Sequence, residues 1–68
     1  MYVLVVNYDK GLDAHQVKEI GNEANAFSID LMVSGDFRDY TNESLIGKTV
    51  KIESMQNYLY LCTAGKVV

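Results

Sequence analysis

Four side chains in this 68-residue chain are of types that could do chemistry: Asp13, His15, Ser44 and Cys62. Asp13 and His15 stand two apart, where Gly11-Leu12 leads into residues at helical spacing. A carboxylate at such a place caps a helix, because it accepts the free N–H groups of the first turn. Gln16, three residues on, completes a capping box. His15, two residues into that helix, reads as an exposed ring projecting to solvent. Ser44 precedes Leu45-Ile46 and reads as a second N-cap, worth about 1 kcal/mol, at a helix end where added phosphate is electrostatically favourable. Cys62 reads as a small apolar filler, since no base or cation accompanies it to activate the thiol. With no glycine-rich phosphate loop, no nucleophile triad and no Cys/His cluster of metal spacing, the chain is expected to be no enzyme and to carry no cofactor or metal.

Composition narrows the partners. Hydrophobic residues make up 49% of the chain, enough for one compact domain over residues 1–68. A domain this small buries only about 60% of its unfolded surface. With one cysteine and no metal spacing, self-association is the stabilising device left open. Six basic residues are scattered among nine acidic ones, for a net charge of −3. Nucleic-acid binding needs clustered Lys and Arg to release counterions, so it is not expected. Met1–Val6 is too short and lacks the basic flank of a targeting or membrane segment. A cytoplasmic protein is the expectation.

The elements that must position these residues follow from periodicity. Tyr2-Val3-Leu4-Val5-Val6 is β-branched and unbroken, a strand covered on both faces. Val17, Ile20 and Ala24 share a helical stripe beginning at Asp13. From Ala26 to Ser34, Phe27, Ile29, Leu31 and Val33 alternate with Ser28, Asp30, Met32 and Ser34 as a half-buried strand. Ser34-Gly35-Asp36 marks a turn, Arg38 to Thr41 a short hairpin strand, and Asn42 to Ile46 a cap and short helix. Lys48 to Ser54 fits either strand or helix, and Asn57 to Thr63 alternates as a strand closed by Gly65. Strands mixed with helices at this length favour a two-layer α+β sandwich.

In this order the chain resembles the HPr family, the phosphocarriers of the bacterial sugar phosphotransferase system. The resemblance is carried by Gly11-Leu12, Ala24-x-Ala26-Phe27, Leu31 with Val33, Glu43-Ser44-Leu45-Ile46-Gly47 and Thr63-Ala64-Gly65. These fall collinearly from Val3 to Gly65. No single motif is specific. The resemblance implies an HPr-like open-faced sandwich, β-α-β-β-α-β, with a four-stranded antiparallel sheet and helices on one face. Asp13 then stands at the phosphoacceptor histidine's place, His15 at that of an arginine and Gln16 at that of a proline. The family's closing helix is missing after Gly65.

What the resemblance implies functionally is a divergent member without conventional phosphohistidine transfer, acting as a protein-binding or regulatory module. Ser44 matches the serine modified by HPr kinase, and Leu45, Ile46 and Gly47 match the family's docking patch. Its partners would be phosphotransferase-system components, HPr kinase or a transcription regulator. An active phosphocarrier using His15 or Asp13, and a homo-oligomeric structural module, stand as the alternatives. If Leu4, Val6, Leu31, Val33, Leu59 and Leu61 face the helices, Val3, Val5, Met32, Tyr58 and Tyr60 gather on the opposite side. An exposed apolar face of that kind marks an interface, here one between copies of the chain, with neither nucleic acid nor membrane as partner.

Overall fold

The computed structural model describes all 68 residues. The chain runs β1 (Tyr2–Asp9), β2 (Ala14–Glu19), β3 (Asn22–Ile29), a 3₁₀ turn at Gly35–Phe37, β4 (Thr49–Gln56) and β5 (Leu61–Val67). There is no α-helix. The expected α+β sandwich is therefore corrected to one five-stranded antiparallel sheet in the order β3-β2-β1-β4-β5.

The stretch read as the first helix is a hairpin. Alternation decides it: His15 and Val17 on β2 turn inward and are buried, while Gln16 and Lys18 turn outward. Gly21 supplies the turn at φ +91°, a left-handed conformation that glycine adopts at little cost and that ends a helix. Ile20 sits in that turn and Ala24 on exposed strand, so their helical spacing with Val17 has no structural meaning. β1 and β2 are joined by a tight turn in which the Asp9 carboxylate accepts the N–H groups of Gly11 at 2.9 Å and Leu12 at 3.2 Å.

The later segments differ from expectation in the same direction. Asn42 to Ile46 forms turns, not a helix, and Arg38 to Thr41 is not a strand. Asn57 to Tyr60 is the turn between β4 and β5, and Lys66 and Val67 belong to β5. Val50 and Ile52 do alternate as a strand would, and both are buried.

The sheet curls until its edges meet. At the end of β3, the Asp30 N–H donates to the Tyr60 carbonyl and the Cys62 N–H donates to the Asp30 carbonyl, each at 2.9 Å. This parallel bridge from Asp30 to Leu61 ties one edge strand to the other, leaving less open edge for aberrant pairing. Inside lie Val3, Val5, Val17, Ile29, Val50, Ile52 and Cys62. The long connection from β3 to β4 adds Leu31, Phe37 and Leu45 to that core, all fully buried.

Phe37 is placed by the 3₁₀ turn, which is latched to the sheet. The Ser34 hydroxyl caps the turn by accepting the Asp36 N–H at 3.1 Å and donates to Asp36 Oδ2 at 2.7 Å. The same Oδ2 accepts the N–H of Gly65 on β5 at 2.9 Å. These bonds, Ser34's first, hold the Asp36 carboxyl below its ordinary range, since hydrogen bonds to a carboxylate favour its charged form.

Candidate functional site

The corner where β1 meets β2 brings Asp13 and His15 together around Tyr8. Asp13 is at no helix end; it lies in the turn before β2 with φ 52°. His15 does not project to solvent. Its ring is buried, lies 4.9 Å from the Tyr8 ring, and places Nε2 at 2.8 Å from the Asn42 carbonyl oxygen. A carbonyl only accepts, so Nε2 carries the proton and donates. The imidazole is thus a strut that pins the long connection to the sheet.

The Tyr8 hydroxyl donates to the Asp13 carboxylate. That hydrogen bond, with burial and then the negative charges of Asp13, Glu43 and Asp30, pushes the Tyr8 phenol up to about 12. The sign follows. A phenol whose folded pKa exceeds its ordinary value of 10.0 stabilises the fold fully below that value, and the contribution is lost as pH rises through about 12. In an ultraviolet titration one of the five tyrosines should ionise near 12, and Tyr8→Phe should remove that step. A wild-type curve fitted by five ordinary phenols would refute the Tyr8–Asp13 bond.

Ser44 is committed to its own loop. Its Oγ accepts the Thr41 N–H at 2.8 Å and donates to the Thr41 carbonyl at 3.1 Å, while the Ser44 N–H donates to Thr41 Oγ1 at 3.1 Å. The residues expected to dock beside it separate. Leu45 is fully buried, Ile46 is exposed, and Gly47 is a backbone device at φ +87° whose N–H donates to the Val5 carbonyl at 2.8 Å. Cys62 is the filler expected: buried, its thiol pushed up chiefly by burial, and so unreactive.

The expected oligomer face divides as well. Val3 and Val5 are inside the curled sheet, whereas Met32, Tyr58 and Tyr60 are exposed, so the five residues share no surface. The parity of β1 is the reverse of that expected. Val5 is paired with Val17 and Val3 with Val50, all four turned into the core, and Tyr2, Leu4 and Val6 face outward.

This outward face is the surface that sequence reasoning missed. Leu4 is paired with Lys18 on β2 and with Thr49 on β4, and Lys18 in turn with Ala26 on β3. In the next row Tyr2 pairs with Lys51 on β4, and Lys51 with Lys66 on β5. Residues directly opposite on neighbouring strands share a face. The centre of the sheet therefore presents Tyr2, Leu4 and Val6, which remain 48%, 38% and 38% exposed, with lysines on both flanks. Val6 is the extra residue where the β1–β2 register shifts between Val5 and Asn7, and it stands at the side of a shallow groove of about 320 Å³. Gln16, Val17 and Lys18 on β2 and Ala26, Phe27 and Ser28 on β3 line the groove with it. The small side chains of Ala26 and Ser28 beside longer ones make the depression. The available signal was the five-residue apolar run of β1, which carried no parity.

No family model matches the chain, and no similar curated protein or solved structure is found. No helix is long and apolar enough to cross a membrane.

Proposed function

We propose that this chain is a protein-binding module without catalytic chemistry, and that its docking surface is the outward face of β1 and β2. The observation that supports this reading is the central strand. A strand flanked on both sides within a sheet exposes three large apolar side chains in a row, Tyr2, Leu4 and Val6, beside a groove sized for one or two partner side chains. Contiguous exposed apolar surface on a small protein marks an interaction site. Fully covering an exposed Leu or Val side chain contributes about 1.5–3 kcal/mol. With these three 38–48% exposed, covering the row contributes roughly 2–4 kcal/mol, and backbone and flanking polar contacts must supply the rest of any micromolar affinity. The corner of Tyr8, Asp13 and His15 does not support a catalytic alternative, because the one imidazole is buried and its Nε2 proton is already donated.

A displayed-peptide selection against the folded protein tests this. Enriched peptides should lose most of their binding to Leu4→Gln and keep it with Leu59→Gln, an exposed leucine in the β4–β5 turn. Both substitutions are at the surface, so stability should move by no more than about 0.5 kcal/mol. Binding that survives Leu4→Gln places the docking surface elsewhere.

A further inference from the structure

We infer that the segment docked on this face is acidic: an extended peptide whose carboxylates lie over Lys51 and Lys66 and whose apolar side chains cover Leu4 and Val6. This rests on the docking face proposed above. The observation that carries it is the cross-strand row Tyr2–Lys51–Lys66. Lys51 and Lys66 are directly opposite on β4 and β5, so their side chains rise from the same face with Cβ atoms about 5 Å apart. Like charges so placed are destabilising, and neither is compensated within the chain: no ion pair within 4.0 Å holds either ammonium group. Lys18 adds a third positive charge on the other flank of Leu4. The nearest carboxylate along β4 is Glu53, two residues past Lys51, at the unpaired position where the β4–β5 register shifts.

The rest of the chain's charge is arranged the opposite way. The charges of Asp13, Asp30 and Glu43 act together on Tyr8 at the far end of β1, in a chain whose net charge is −3. The lysine row is a local positive field on an acidic body. Salt limits such a field to about 8–10 Å. A short carboxylate segment in contact with the row sees the lysines, whereas an extended polyanion such as a duplex or an anionic bilayer also meets the acidic remainder. A second copy is disfavoured face to face, since each face would bring the same lysines to the other. A carboxylate bridging both ammonium groups removes the like-charge cost that the free protein carries, and charge-assisted hydrogen bonds of this kind are the stronger ones.

The test uses two acetylated and amidated octapeptide libraries. One has two glutamates followed by mixed Leu, Ile, Val and Phe; the other has glutamine in place of both glutamates. Binding to the whole chain is followed by amide chemical shifts. The glutamate library should perturb Tyr2, Leu4, Lys51 and Lys66, bind about tenfold more tightly than the glutamine library, and weaken with salt. Lys51→Gln with Lys66→Gln should abolish that preference while leaving the spectrum of a folded protein. Equal binding of both libraries at Leu4 overturns the acidic partner and leaves the docking face standing. Shifts from neither library at Leu4 and Val6 overturn the docking face itself. Tighter binding to vesicles containing phosphatidylserine than to the glutamate peptides, or a dimer in sedimentation that Leu4→Gln dissociates, overturns the inference in favour of a lipid surface or a second copy.

Discussion

Phe37→Ala should destabilise the protein by about 3–5 kcal/mol, the range for truncating a buried phenylalanine where neighbours relax only partly. Phe37 is the largest fully buried side chain, and it comes from the long connection, not from the sheet. Its ring fills the core against β5, with Cζ 3.2 Å from the position a Cβ would take at Gly65. At roughly 0.05–0.15 kcal/mol of stability per residue, a 68-residue domain has about 3–10 kcal/mol in all, so the loss takes a third or more of it. Urea unfolding followed by circular dichroism should show a strongly lowered midpoint or no folded baseline. A loss under about 1 kcal/mol would mean that the 3₁₀ turn does not complete the core.

Gly65→Ala should cost about 1–3 kcal/mol, the usual penalty for forcing an extra methyl into packed surroundings. An added Cβ would meet the Lys51 carbonyl oxygen at 2.9 Å, Cys62 Sγ at 3.2 Å and Phe37 Cζ at 3.2 Å. The carbonyl is backbone of the neighbouring strand and cannot swing aside, so β4 and β5 must part or Phe37 must lift. Either movement strains the Gly65 N–H bond to Asp36. Gly35→Ala is the matched comparison, because nothing lies within 4 Å of its added Cβ; it should change stability by no more than about 0.5 kcal/mol. Equal effects of the two substitutions would show that β5 does not pack as closely as described.

Much of the strand content was legible, and the two helices expected are absent. Val50 and Ile52 showed the two-residue period of β4, and Phe27 with Ile29 that of β3. Val17, Ile20 and Ala24 misled because three residues at helical spacing are also compatible with a strand, a turn and a second strand. Helices of one to three turns are marginal alone and form only where packing rewards them. Here packing rewards the hairpin, which buries both His15 and Val17 on one face. Asn42 to Ile46 looked like a capped helix because Ser and Thr satisfy turns by the same local hydrogen bonds they use at caps; Thr41 and Ser44 do this for each other. The HPr-like expectation for Asp13, Ser44 and Leu45 depended on those helices. The observed strands put the three in a turn, a closed loop and the core.

The amino-acid sequence alone determined apolar strands enough to build a sheet, because two-residue alternation is a property of the chain. Only the tertiary structure decided which side of β1 is inside. Five apolar residues in succession offer two equivalent faces, and a shift of one residue exchanges them. The choice falls to the partners across the sheet, since His15, Val17 and Val50 must meet Val3 and Val5 to close the core. That leaves Tyr2, Leu4 and Val6 beside the lysines on the surface.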